Sequence, residues 1–135
     1  MWNGVNVMTD EQWKEVEKKL VPPFGRVELE IDGYKVTITA QLVEKMKVGF
    51  AVYVNGFIRG EWSINDCEIR RRFYYESKRS LLTKSERAKV KKMRKSVREE
   101  VLQRTKYSIY LPYWGSFSRL KSHLIKNNKS IELVK

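Results

Sequence analysis

The chain has few of the residues from which active sites and disulfide frameworks are built. Cys67 is its only cysteine and His123 its only histidine. One cysteine cannot form an intrachain disulfide, and the pair is too small a set to hold a structural zinc ion. No apolar run approaches the roughly 18 residues that span a bilayer, and residues 1–5 lack the pattern of a signal peptide. We therefore expect a cytoplasmic protein with no metal, no cofactor and no membrane partner.

Catalytic patterns are equally scarce. His123 has no serine, cysteine or aspartate at a diagnostic spacing. Glu28, Glu30 and Glu61 alternate along predicted strands as ordinary solvent-facing charges, and no third group gathers around them. The seven glycines are scattered over turns, so no phosphate-cradling loop is present. The sequence predicts a protein that is not an enzyme.

Positive charge, in contrast, is abundant and unevenly placed. Residues 1–67 sum to −2, whereas residues 68–106 hold fifteen Lys or Arg against five Glu, a balance of +10. The remaining residues add +4, which gives the net charge of +12. A balance so uneven indicates an anionic partner. The length fits one domain, predicted to span residues 1–135.

The first half of the chain predicts one helix and two hairpins. Thr9 and Gln12 form a capping box at the start of a helix that Pro22 ends. Period-two alternation then indicates strands, and Asp-Gly and Asn-Gly pairs indicate two-residue turns between them. The predicted strands are residues 26–31, 34–43, 48–54 and 57–62.

The second half predicts three helices. One runs from residue 67 to about residue 80, and one runs from a capping box at Thr83 and Glu86 to about residue 104. The last begins after a Ser116 cap, and residues 107–110 and 131–134 are candidate short strands. The elements predict an α+β fold. It is a four-stranded antiparallel meander sheet, packed by the first and last helices, with one long basic helix on its flank.

The second hairpin is apolar on both faces, because Tyr53 and Trp62 lie opposite the inward-facing residues of its strands. Two interpretations stay open. Either this face is buried under a helix or within the sheet, or it is an exposed aromatic platform on which bases or a partner protein dock. The candidate partner-binding residues are Tyr53, Trp62, Tyr113 and Trp114.

The basic segment carries the strongest functional signal. Lys and Arg that neutralise phosphates release condensed counterions, and arginine also stacks on bases. The predicted nucleic-acid-binding residues are Arg70, Arg71, Arg72, Lys78, Arg79, Lys91, Lys92, Arg94, Lys95 and Arg98. The alternative is a solvated helix that keeps the protein soluble, helped by pairs such as Lys95 with Glu99. No zinc-finger or helix-turn-helix signature is present, so sequence-specific readout is not predicted.

Short motifs along most of the chain also suggest relatives. They are Phe24-Gly25-Arg26-Val27, Asp32-Gly33-Tyr34, Tyr53-Val54-Asn55-Gly56, Gly60-Glu61-Trp62, Tyr113-Trp114, Ser116-Phe117 and residues 120–128. Together they resemble those of a family of small uncharacterised proteins from bacteriophages and prophages. The resemblance implies an accessory phage protein acting in the host cytoplasm, and it suggests the class of anti-CRISPR proteins. Many of those imitate DNA with acidic surfaces, and this chain departs from that pattern by being basic.

The expected function is therefore a non-enzymatic phage protein that binds a nucleic acid or nucleoprotein, as an inhibitor of an RNA-guided nuclease. Two alternatives remain. One is a general DNA- or RNA-binding protein of phage replication or packaging. The other is a protein-interaction module that uses the aromatic sheet face.

Overall fold

The computed structural model describes residues 8–22, 24–44 and 47–134, and within them it is an α+β fold. The described chain divides into two compact units. The first, here called the sheet unit, contains the described residues up to Tyr75 and those from Tyr110 onward. The second, here called the basic unit, runs from Glu76 to Ile109. That residues 1–135 form one domain stays a prediction.

Thirteen elements follow one another along the described chain. In order they are α1 (Asp10–Lys19), β1 (Arg26–Ile31), β2 (Tyr34–Glu44), β3 (Lys47–Val54), α2 (Gly60–Ile64), α3 (Glu68–Phe73), β4 (Tyr75–Ser80), α4 (Lys84–Lys91), α5 (Lys95–Thr105), β5 (Lys106–Leu111), β6 (Tyr113–Trp114), α6 (Phe117–Asn127) and β7 (Ile131–Leu133).

The sheet unit is built on five strands in the spatial order β6-β3-β2-β1-β7, with every pair antiparallel. The three central strands form the predicted meander. Asp32 and Gly33 join β1 to β2 with φ of 46° and 87°, the left-handed backbone that an Asp-Gly turn requires. Alternation places Leu29, Val36 and Val52 on one face, where each is fully buried.

Helices α1 and α6 cover that apolar face, as predicted. Trp13 and Val16 of α1 lie in the core together with Leu120 and Leu124 of α6. The capping box predicted for Thr9 and Gln12 is also confirmed, with both reciprocal hydrogen bonds formed. Burial of these stripes against the sheet supplies most of the driving force for folding the sheet unit.

The predicted fourth strand, residues 57–62, is wrong. Asn55 and Gly56 do make the turn, but only Val54 and Phe57 bridge across it, and α2 begins at Gly60. The edge of β3 is taken instead by β6, where Phe50 pairs with Trp114. The pairing therefore comes from a segment about sixty residues away in sequence, and local alternation cannot indicate such a partner.

Two predicted helices are also wrong in extent. The helix expected over residues 67–80 ends at Phe73, and the chain continues as strand β4. The long basic helix is two helices, α4 and α5, separated by residues 92–94. Like charges at helical spacing repel, and residues 91–98 hold five of them, so a continuous helix there is disfavoured.

Within the described ranges, no helix has the length and apolar character needed to cross a membrane.

Candidate nucleic-acid interface

The basic unit carries most of the protein's net charge. Residues 76–109 contain twelve Lys or Arg and four Glu, a balance of +8 out of +12. Throughout this stretch, which the structure describes in full, one cation pairs with a carboxylate: Arg104 lies 2.7 Å from Glu100. The expected pair of Lys95 with Glu99 is not formed. Eleven cations are therefore left without an acidic partner inside the basic unit.

Part of this positive charge lies on a two-stranded ribbon formed by β4 and β5. The Ser108 hydroxyl donates to Glu76 Oε2 at 2.6 Å across the ribbon, and the Leu81 N–H donates to the Thr105 carbonyl at 2.8 Å where α5 ends. The ribbon brings residues near 78 and near 106 together although 28 positions separate them in sequence. Charges that are remote along the chain thereby become neighbours.

A groove of about 510 Å³ lies against the ribbon and α4. Its lining residues are Lys78, Arg79, Ser80, Arg87, Lys106, Tyr107 and Ser108. Four of the seven are cationic and none is acidic. The lining Ser108 donates its hydroxyl hydrogen bond to Glu76, which is not itself a lining residue. Low-dielectric walls lined by one sign of charge focus the electrostatic field, so the groove attracts anions.

A second cluster of cations lies where α4 meets α5. Lys91, Lys92, Arg94 and Lys95 are all exposed there, and Arg98 is half-buried. The first turn of α5 contains no acidic residue and Arg94 provides no side-chain cap. Cations at the positive end of a helix dipole are unfavourable, and a bound anion relieves that repulsion.

The basic unit buries little apolar surface of its own. Only Val90 of the predicted stripe is fully buried, whereas Met93 and Val97 are each 42% exposed. Both α4 and α5 are therefore held by few packing contacts, and most of their surface faces water, as the narrow stripe predicts.

The three consecutive arginines of α3 lie in the sheet unit and have three different environments. Arg70 stacks its guanidinium 3.5 Å from the centre of the Tyr110 ring. Arg71 is exposed and lies 3.4 Å from Asp66. Arg72 is largely used internally, since it contacts Glu68 and Asp32 at 2.7 Å each. The prediction that the three form one phosphate-binding run is therefore corrected for Arg72.

The contacts around Arg72 lower the pKa values of two carboxyl groups, those of Asp32 and Glu68. Desolvation raises the pKa of Asp32, but backbone N–H groups of Lys129 and Ser130, together with Arg72, outweigh it, so that the net pKa is lowered. A hydrogen bond from the Tyr34 hydroxyl, with help from Arg72, also lowers the pKa of Glu68. Both carboxylates stay ionised at neutral pH and hold Arg72 in place.

The expected aromatic platform is not assembled. Tyr53 lies on the face of β3 opposite the core and lines a shallow groove with Thr37 and Thr39. Trp62 lies on α2 and packs on the core side, with its ring 6.3 Å from that of Tyr74. The two predicted platform residues therefore occupy different faces, because the fourth strand that would have aligned them is absent.

The other predicted aromatic pair also separates. Tyr113 is 44% exposed, whereas Trp114 is buried and donates from Nε1 to the Phe73 carbonyl at 3.0 Å. The Trp114 ring further contacts Tyr75 and His123. Trp114 is thus a core residue, which corrects its placement among the partner-binding candidates.

His123 is likewise engaged in the structure of the sheet unit. Its Nε2 lies 3.0 Å from the Arg71 carbonyl and its Nδ1 lies 3.2 Å from the Asn127 amide nitrogen. A single tautomer, protonated on Nε2, satisfies both contacts. Among the described residues, no group of three or more His, Cys, Asp or Glu is arranged to hold a metal ion.

Several groove residues are not among the nucleic-acid-binding residues that the sequence predicts. They are Ser80, Arg87, Lys106, Tyr107 and Ser108. The sequence signal for Ser80, Arg87 and Lys106 is their position inside the basic segment, and Tyr107 and Ser108 lie just beyond its end. Their convergence depends on the pairing of β4 with β5, whereas the sequence pattern predicts a helix where β4 lies.

Comparison of the chain with protein-family models, with curated proteins and with solved structures gives no match.

Proposed function

We propose that this protein binds nucleic acid through the basic unit. The observation that carries the proposal is the set of eleven cations without an acidic partner, four of which line one groove. Cations that the fold does not pair internally retain their full interaction with an external polyanion. Nucleic acid offers the matching array of phosphates, and release of its counterions makes such binding favourable.

The expected affinity is electrostatic and indifferent to sequence. Contacts to about 5–8 phosphates predict a salt dependence of log affinity with a slope of about −4 to −6. The sequence carries no zinc-finger or helix-turn-helix signature, so we propose backbone contact as the main mode. We assign no reaction to the protein, and we place it in the cytoplasm because its single cysteine suits a reducing compartment.

The more specific expectation is a phage-encoded inhibitor of an RNA-guided nuclease, and it rests on the sequence resemblance alone. A basic surface of this kind is compatible with it, since guide RNA and target DNA are both polyanions. A role in phage replication or packaging uses the same surface and stays the alternative. Inhibition of the nuclease in a cleavage assay separates the two.

The proposal is tested by reversing charge in the groove. A triple variant, Arg79→Glu, Arg87→Glu and Lys106→Glu, changes three exposed lining residues. Binding to a labelled oligonucleotide, measured by fluorescence anisotropy at about 0.1 M salt, should weaken by more than about tenfold. The matched control changes three exposed cations of α1 and α6: Lys14→Glu, Lys18→Glu and Arg119→Glu.

The control alters the total charge by the same amount but leaves the groove intact. Its affinity should fall by less than about threefold, because only the long-range field changes. Equal losses in both variants would show that net charge, and not the groove, determines binding. No binding by the wild-type protein at low salt would overturn the proposal.

A further inference from the structure

We infer that the groove of the basic unit takes a single-stranded nucleic acid, with Tyr107 as the stacking platform for one base. The inference rests on the proposed function and names its substrate class. It follows from the combination of one available aromatic ring with phosphate-binding cations in the same groove.

Tyr107 is the aromatic residue of the groove, and its ring is free to bind. It is 43% exposed, and it makes no ring-stacking or cation–π contact with any residue that the structure describes. Tyr110, three positions further along, has its ring covered by Arg70 at 3.5 Å. Tyr107 thus presents a flat apolar surface to solvent in a groove that Lys106 also lines.

The cations that line the groove with Tyr107 are available to the phosphates of a strand whose base stacks on that ring. Lys78, Arg79 and Arg87 line the same groove together with Lys106. The carboxylate of Glu76 accepts a hydrogen bond from the Ser108 hydroxyl, so it lies beside the groove as an opposing charge. Four lining cations and no lining carboxylate leave a net positive site, which suits a run of phosphodiesters.

The groove volume of about 510 Å³ falls in the range of small-ligand sites, about 300–1,000 Å³. Space of that size suits one or two nucleotide units. A duplex keeps its bases stacked inside the helix, so it offers no base face to a tyrosine ring beside its phosphates. Unpaired strands expose base faces, and stacking on an aromatic ring combined with a basic groove is how single strands are bound.

The test compares three labelled ligands of equal length at one salt concentration. They are an unstructured single strand, a duplex containing that strand, and a single strand in which the central residues are abasic. DNA and RNA forms of the single strand distinguish the two polymers. The wild-type protein should bind the intact single strand about five-fold to a hundred-fold more tightly than the abasic strand, since one stacked base is lost.

Substitutions then assign the effect to one ring. Tyr107→Ala should lose the same factor on the intact strand and change by less than about twofold on the abasic strand, whereas Tyr107→Phe should bind like the wild type. Tyr113→Ala is the matched control, because Tyr113 is equally exposed at 44% and lies in the sheet unit. It should leave all three affinities unchanged.

The remaining outcomes separate base stacking on Tyr107 from nucleic-acid binding by the basic unit. Equal binding of intact and abasic strands, or a Tyr107→Ala loss that is the same on both, would overturn the stacking inference while nucleic-acid binding stands. A preference for duplex over single strand would do the same. Failure to bind any of the ligands would overturn the proposed function itself. The ligand comparison uses the wild-type protein, so it decides the matter even where Tyr107→Ala unfolds.

Discussion

Arg72 and Asp32 are 40 residues apart in sequence, and their side chains meet at 2.7 Å. The contact ties α3 to the β1–β2 turn, and Asp32 also accepts the backbone N–H groups of Lys129 and Ser130 that lead into β7. One charge pair thereby joins three segments of the sheet unit. An arginine that looks like part of a phosphate-binding run is a structural residue.

Replacing Arg72 with alanine should destabilise the sheet unit by about 1.5–3 kcal/mol, because a largely buried pair is broken and Asp32 loses a partner. Chemical denaturation followed by tryptophan fluorescence measures the change. Arg71→Ala is the control, since its pair with Asp66 is about two-thirds exposed and should be worth less than about 0.5 kcal/mol. Equal losses in the two variants would contradict the structural role of Arg72.

Stability should fall when the pH drops below about 6.5, the ordinary pKa of histidine. Desolvation and the positive charge of Lys126 lower the pKa of His123 in the folded state, although its contact with the Arg71 carbonyl acts in the opposite direction. The unfolded chain therefore binds the proton more readily, and protonation favours unfolding. In the folded state, a proton on Nδ1 would also face the Asn127 amide N–H.

His123 is the only histidine, so the effect can be isolated. His123→Gln should be less stable than the wild type at pH 7 and should lose most of the change in unfolding free energy between pH 7 and pH 5.5. Denaturation at both pH values measures this. A wild-type stability that rises towards pH 5.5 would contradict the lowered pKa.

Tyr74→Phe should leave the protein as stable as the wild type or stabilise it by about 1 kcal/mol. The Tyr74 hydroxyl is buried and lies near the Arg59 backbone, but outside hydrogen-bonding geometry, so its removal costs nothing. Tyr34→Phe is the matched comparison. It removes a hydroxyl that donates to Glu68 at 2.9 Å and should cost about 0.5–1.5 kcal/mol. A larger loss of stability in Tyr74→Phe than in Tyr34→Phe would contradict this, because it would mean that the Tyr74 hydroxyl has a hydrogen-bond partner.

Much of the sheet unit is predictable from the sequence because its signals are local. The Thr9 capping box, the Asp32-Gly33 turn and the Ser116 cap each act within a few residues, and all three form. The errors come from long-range pairing. Strand β6 pairs with the edge of β3. Pairing with β5 makes β4 a strand, although the local sequence pattern favours a helix there.

The candidate site also has one part that the sequence predicts and one part that it does not. Charge is a property of composition, so the basic segment is visible in the sequence without any structure. The groove is not, because Lys78 and Lys106 become neighbours only through the β4–β5 pairing. The internal role of Arg72 depends on Asp32, which is equally remote along the chain. No local pattern separates a paired arginine from a free one.

Arg94→Asp should stabilise α5 and weaken nucleic-acid binding at the same time. Arg94 occupies the N-cap without a capping hydrogen bond, whereas aspartate caps well and suits the positive end of the helix dipole. The expected gain is about 1 kcal/mol. Arg94→Gln removes the charge without a strong cap, so it should weaken binding without the gain in stability. Thermal unfolding and anisotropy on both variants provide the two readouts.

The salt dependence of binding is the most direct test of a phosphate-binding groove in the basic unit. For the wild-type protein and an unstructured single strand, log affinity against log salt should have a slope of about −4 to −6. A variant with Lys78, Arg79, Arg87 and Lys106 all changed to Gln should have a slope smaller in magnitude by about 3, since each lost phosphate contact removes about 0.7. A wild-type slope near zero, or an unchanged slope in the variant, would contradict a phosphate-binding groove in the basic unit.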